Sequence, residues 1–149
     1  MRRELTLACA LLLGGRAAAM PSSEVTNQPV GPTSVAQLLH DLDGRNAGDR
    51  HYAARELRRR ALSLNRRRQG ASLSAEEAAV DWADLRMDVE GALIRCIERE
   101  EERVSCADAA KALDLSATLP ALRAARDSEQ RRRALRTLDQ TIQSLEALP

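Results

Sequence analysis

The side chains best suited to chemistry are few in this chain. Two histidines, His40 and His51, are the obvious candidates for proton transfer or metal ligation. His40 stands beside Asp41 and Asp43, but neighbouring positions on a helix point in different directions. A helical metal site needs ligands at i and i+4 and a second set to complete the shell. Neither is present, and the three residues read as a solvated polar face. Ser63 and Ser105 have no histidine and acid placed in the sequence to activate them as nucleophiles. No glycine-rich loop could cradle a phosphate. Asp84 and Asp88 lie one helical turn apart, yet nothing separates them from the acidic residues around them. The expectation is a protein that is not an enzyme and holds no metal, cofactor or small-molecule substrate.

Three cysteines remain to be placed: Cys9, Cys96 and Cys106. Cys96 and Cys106 are each five residues from Glu101, the centre expected for a turn between two helices. Positions equidistant from the turn of an antiparallel hairpin face each other, and an oxidising compartment then favours a disulfide. The alternative is a pair of buried thiols acting as small apolar residues. A disulfide closing a loop of about ten residues would contribute about 2–3 kcal/mol.

The elements that must carry these residues are helical. Phe is absent, and Tyr52 and Trp82 are the only aromatics. Sheets draw on aromatic and β-branched residues, whereas this chain is rich in Ala, Leu, Arg and Glu, all strong helix formers. Its basic residues are 22 arginines and Lys111, a bias of the kind a GC-rich genome imposes.

The first residues form an address. Arg2 and Arg3 precede the apolar run Leu5–Leu13, and Ala17, Ala18 and Ala19 follow, with Glu4 and Arg16 as departures from the pattern. A basic start, an apolar middle and a small-residue end predict a secretory signal at 1–19, cleaved after Ala19. The run is too short to span a membrane. Cys9 lacks the longer preceding apolar run of a lipoprotein signal. Residues 20–33 hold three prolines among small polar residues and read as a flexible linker. The expected location is periplasmic or secreted.

From residue 34 to 149 the apolar residues recur at helical spacing. Val35, Leu38, Leu39 and Leu42 form one stripe, with Thr33 or Ser34 as N-cap. Asp49 can cap a second helix carrying Ala54, Leu57, Ala61 and Leu64, ended by Gly70 and Ser72. Ser74 and Glu77 resemble a capping box for a long segment with a break near Asp81 and a stripe of Leu85, Val89, Ala92, Leu93, Cys96 and Ile97. Ser105 with Asp108 suggests the next cap, ahead of Ala109, Ala110 and Leu113. Ser116 precedes a short helix with Pro120 in its first turn. Asp127 or Ser128 is expected to start a last helix bearing Leu135, Leu138, Ile142 and Leu145.

These six helices fall into three pairs. The second member of each contains Ala-x-x-x-Leu, as Ala53/Leu57, Ala109/Leu113 and Ala134/Leu138, with Arg50, Arg103 or Arg131 shortly before. The first members carry VAQLL, GALI and LPAL. No such pair can bury its apolar stripe alone, so neighbours must stack.

On these residues the chain resembles the HEAT-like repeats, notably the short type of the phycobilisome lyases. Residues 104–138 carry the likeness best and residues 35–57 next; it departs at 65–81 and at Asp114, where the family has glycine. The resemblance implies an all-α fold, a short α-solenoid of stacked antiparallel helix pairs; a compact helical bundle is the alternative. It also implies that each second helix lines a concave surface, giving a basic face of Arg55, Arg58, Arg59, Arg131, Arg132 and Arg136. Arginine's planar fork suits carboxylates on a partner.

Charge bears on what that partner is. The whole chain carries +1. Losing residues 1–19 removes a net +2 and leaves −1, too little excess charge for a general nucleic-acid binder. Arginines crowd residues 49–68 and carboxylates crowd residues 81–102, so mutual neutralisation between neighbouring helices competes with a binding role. The expected function is a non-catalytic scaffold that binds another protein, one with an acidic surface, through its stacked helices. An intracellular nucleic-acid-binding protein is the alternative if residues 1–19 are no signal, and an enzyme subunit like the lyase relatives ranks last. An uncapped end of so short a stack leaves room for self-association.

Overall fold

Ser34 opens the first helix, α1 (Val35–Asp43), its hydroxyl accepting from the Gln37 amide at 3.1 Å. This computed structural model describes residues 33–70 and 74–149, within one compact unit that spans Gly31–Pro149. The expected signal, Cys9, the linker apart from Thr33, and Ser72 lie outside the described residues. Those described are all helical: after α1 come α2 (Ala47–Arg68), α3 (Ser74–Glu98), α4 (Arg103–Ala112), a 3-10 turn (Ser116–Thr118), α5 (Leu119–Ser128) and α6 (Arg132–Glu146).

Several helix ends differ from expectation, each for a local reason. α2 starts at Ala47, because Asn46 supplies the cap through its Oδ1, 2.9 Å from the Gly48 amide; Asp49 lies inside the first turn. α3 runs through Asp81 unbroken, since Ala78, Trp82 and Leu85 keep the apolar stripe in phase. α4 begins at Arg103, so Ser105 is within the helix and caps nothing. Asp127 and Ser128 end α5 and do not start α6. Glu129 organises that turn: its Oε1 accepts from the Gln130 and Arg131 amides at 3.0 and 2.9 Å.

The core follows the stripes. Each Ala-x-x-x-Leu pair is buried, and so are Leu85, Val89, Ala92, Leu93, Cys96 and Ile97. α1, α3 and α5 touch in series, and α2, α4 and α6 touch in series beside them, while α1–α2, α3–α4 and α5–α6 pack as hairpins. Ala53, Ala54 and Ala61 of α2 and Ala107, Ala109 and Ala110 of α4 are buried in the core, where their small side chains let helices approach closely. Cys96 and Cys106 close the α3–α4 hairpin with their sulfurs at bonding distance and Cα atoms 6.1 Å apart.

α2 and α3 are far longer than their neighbours and extend past them as a pair. The paired extension rests on the turn after α4. Arg86 donates to the Asp114 carbonyl at 2.8 Å, and Arg68 lies 4.4 Å from the Trp82 ring centroid and 3.4 Å from the Asp114 carboxylate. Among the described residues no helix is long and apolar enough to cross a membrane.

Candidate functional site

Burial of Ala53, Ala54, Leu57 and Ala61 turns the opposite face of α2 outward. Tyr52, Arg55, Arg58, Arg59 and Leu62 lie on that face, lining with His51 and Glu56 a shallow depression of about 520 Å³. Tyr52 is 53% exposed and Leu62 37%, so an aromatic ring and an aliphatic chain sit among the guanidinium groups. Arg58 and Leu62 also border a second depression, shared with Asp108, Lys111 and Ala112 of α4. The two depressions make a continuous surface along α2 toward α4.

The six arginines of the expected basic face are not equivalent. Arg55 and Arg58 line the α2 depression. Arg59 lines it too, but binds Glu56 through two hydrogen bonds of 2.7 and 2.6 Å. Those bonds, with one from Arg60, hold the Glu56 carboxyl down at about 2 against the opposing effect of burial. Arg131 is engaged in the same way: it donates to Glu129 and, through Nη2, to the Glu100 carbonyl at 2.9 Å. Arg132 and Arg136 are exposed on α6, with α4 between their helix and α2. The structure therefore gathers Arg55, Arg58 and Arg59, and separates them from the α6 arginines.

Arg50, Arg103 and Arg131 hold the turns together. Arg50 is buried and donates to the Gly44 and Arg45 carbonyls at the end of α1, at 2.9 and 2.8 Å. Arg103 is buried as well and donates to the Ala125 carbonyl near the end of α5. Each also reaches an acid two residues before the next such arginine: Arg50 pairs with Glu101, and Arg103 with Glu129. Arginine at a helix C-terminus satisfies unpaired carbonyls and opposes the helix dipole. The sequence signal was the recurring arginine; the carbonyls it serves were not legible.

The histidines also resolve. His51 Nδ1 lies 2.9 Å from Ser105 Oγ and 3.2 Å from Glu102 Oε2, so Ser105 does have a histidine and an acid beside it. They come from residues more than fifty positions apart, joined only by the packing of α2 on α4. Both partners approach the same ring nitrogen, whereas a serine–histidine–acid relay needs the hydroxyl and the carboxylate on opposite nitrogens. The trio ties α2 to the start of α4. His40 is exposed, Asp41 accepts from Gln37 at 2.7 Å, and Asp43 binds Arg95 at 3.0 and 2.7 Å. The Arg95 hydrogen bond lowers the Asp43 pKa. Ser63 lies in a different groove, with Arg60, Asp81 and Asp84.

Comparison with protein-family models, curated proteins and solved structures returns no match. The site has to be read from its own geometry.

Proposed function

We propose that this chain is an exported, non-catalytic scaffold, a short HEAT-like stack of helix pairs that binds an acidic partner protein through the α2 surface. The carrying observation is the mixed strip of Tyr52, Arg55, Arg58 and Leu62. Cations alone attract any polyanion. An exposed phenol ring and an aliphatic chain beside them favour a folded partner that presents carboxylates and apolar atoms together.

Three further features support the reading. The serial contacts of α1, α3 and α5, and of α2, α4 and α6, suit a stack of hairpins. The repeated bond from one hairpin's arginine to the next hairpin's turn suits it too. The Cys96–Cys106 bond fits an oxidising compartment, which the sequence of residues 1–19 also favours.

Fractionation with N-terminal sequencing tests export: the expected mature start is Met20 in the exported fraction, and an intact Met1 in the cytosol overturns it. For the surface, a photo-cross-linking residue at Leu62 in the native host should give a discrete protein adduct. R55E/R58E should abolish that adduct, whereas R123E, on α5, should not. The alternative, a nucleic-acid binder, draws on Arg66 and Arg67, which extend the exposed arginines to the end of α2. Binding of duplex DNA by the full chain, weakening steeply with salt, would favour it.

A further inference from the structure

A second surface, of opposite sign, lies on the other side of α2. α1 has 9 residues and α2 and α3 have 22 and 25, so α1 covers only part of the seam between the longer helices. Beyond its start the seam opens into a groove of about 350 Å³, lined by Val35, Leu64 and Leu85 with Arg60, Ser63, Asp81, Asp84 and Asp88. Ser34 caps α1 at that point, so the helix cannot lengthen to fill the seam.

The charges in the groove are unbalanced. Asp81, Asp84 and Asp88 follow i, i+3, i+7 spacing along one face of α3, and no described residue forms an ion pair or hydrogen bond with any of them. Asp84 and Asp88, at i and i+4, repel each other and weaken the helix by a few tenths of a kcal/mol. The nearby cation, Arg60, is bound to Glu56 at 3.1 Å and to the Thr33 carbonyl. One turn to either side of Asp84, Val80 is 60% exposed and Met87 72% exposed. Apolar atoms therefore lie both in the groove and along its outer lip, and methionine adapts readily to a docking partner.

The geometry points to a docking site for a cationic amphipathic helix of a partner protein, lying along α3 in the part of the seam that α1 leaves open. Its apolar face would meet Val35, Leu64 and Leu85. Lysines or arginines one turn apart would meet Asp81, Asp84 and Asp88, removing a repulsion that no described residue relieves. A helix set into an apolar groove by anchors at i, i+3 or i+4, and i+7 is an established mode of peptide recognition. The site is independent of the α2 arginine strip, and neither proposal needs the other.

The test uses the full-length chain and a fluorescein-labelled helical peptide of about 15 residues, roughly four turns, with leucines on one face and lysines on the adjacent one. Its scrambled sequence and a version with glutamate for every lysine serve as controls. Fluorescence anisotropy should show saturable binding of the lysine peptide alone. D81N/D84N/D88N should weaken it by about tenfold or more, and L64Q by about fivefold. E98Q/E100Q/D108N removes the same charge elsewhere and should leave affinity within about twofold. Circular dichroism confirms that each variant is folded. No binding, equal binding of the scrambled peptide, or equal losses in the two triple variants would overturn the proposal. A monomer–dimer equilibrium abolished by D81N/D84N/D88N would also overturn it, by showing that a second copy fills the groove.

Discussion

The buried guanidinium of Arg103 lies 3.5 Å from the Glu129 carboxylate, and its Nη1 donates to the Ala125 carbonyl at 3.1 Å. It thus connects the start of α4 both to the end of α5 and to the turn that leads into α6. Arg50 makes the corresponding contacts one hairpin earlier, to Glu101 and to carbonyls at the end of α1. The two arginines differ in setting: Glu129 is enclosed, with 1% of its side chain exposed, while Glu101 is 70% exposed.

That difference orders the expected effects. Removing Arg103 leaves an enclosed carboxylate with one fewer partner, and leaves the Ala125 carbonyl to the Ser128 hydroxyl 3.1 Å away. R103A should destabilise the fold by about 2–4 kcal/mol, short of the full cost of an isolated buried charge because Arg131 still binds Glu129. R50A leaves Glu101 free to be solvated and should cost less. R123A, which breaks the exposed 2.6 Å pair with Glu146, should cost under about 1 kcal/mol. Urea unfolding of the three variants checks the order, and an R103A effect no larger than that of R123A would remove the structural role assigned here.

Acid should unfold this protein through the same residue. The Arg131 side chain and amide bond to Glu129 and lower its pKa from 4.5 to about 2, and the Arg59 and Arg60 side chains do the same for Glu56. A lowered folded-state pKa means that the unfolded chain takes up the proton first. The stabilisation is complete above about pH 4.5 and is lost as pH falls toward 2, amounting to up to about 3 kcal/mol for an enclosed group such as Glu129. Unfolding free energy measured from pH 6 to pH 2 should decline across that window, and in E129Q the decline should be shallower. An unchanged slope in E129Q would assign the acid sensitivity elsewhere.

How much of this was legible in the sequence depends on the range of the forces involved. The all-helical fold and the buried Ala-x-x-x-Leu seams follow from local periodicity, and the structure buries Ala53, Leu57, Ala109, Leu113, Ala134 and Leu138 as that periodicity requires. Helix starts were harder, because Asn46 and Asp49 are equally competent caps and tertiary packing selects between them. The start of α6 was hidden for another reason: Glu129 organises its turn with a long side chain that is not an ordinary capping group. The candidate face was legible as arginine-rich, but not which arginines were engaged. Arg59 and Glu56 are three residues apart and could have been paired on helical spacing alone. The contacts of Arg131 with Glu100, and of His51 with Ser105, join distant segments and exist only after α4 docks on its neighbours.

The cysteines give a third expectation. Cys96 and Cys106 are almost wholly buried, so their bond serves the fold and is shielded from reagents in solution. The native chain should show no free thiol at either position to an aromatic disulfide reagent before denaturation, and none after denaturation without reductant. C96A/C106A should lose about 2–3 kcal/mol, the chain entropy that closing so short a loop removes from the unfolded state. Titratable thiols at both positions in the denatured, unreduced protein would show that the bond does not form in the protein's own compartment.

Asp114 tests the end of α4 at a single residue. It follows α4 with φ of 53°, the only described non-glycine residue with positive φ, in a conformation that favours glycine. The Leu115 amide donates to the Ala110 carbonyl and the Asp114 amide to the Lys111 carbonyl, both at 3.1 Å, a helix end that requires the left-handed conformation. An aspartate there carries a steric penalty of about 1 kcal/mol that glycine lacks. What Asp114 returns through its side chain is small, since the 3.4 Å pair with Arg68 is about one-third exposed on both sides. The Arg86 bond is made to the backbone carbonyl and survives substitution. D114G should therefore stabilise the protein by about 0.5–1 kcal/mol and raise its melting temperature by a few degrees, whereas D114A should not. If D114G melts below the wild type, the Arg68–Asp114 contact matters more to the α2–α3 extension than its exposure implies.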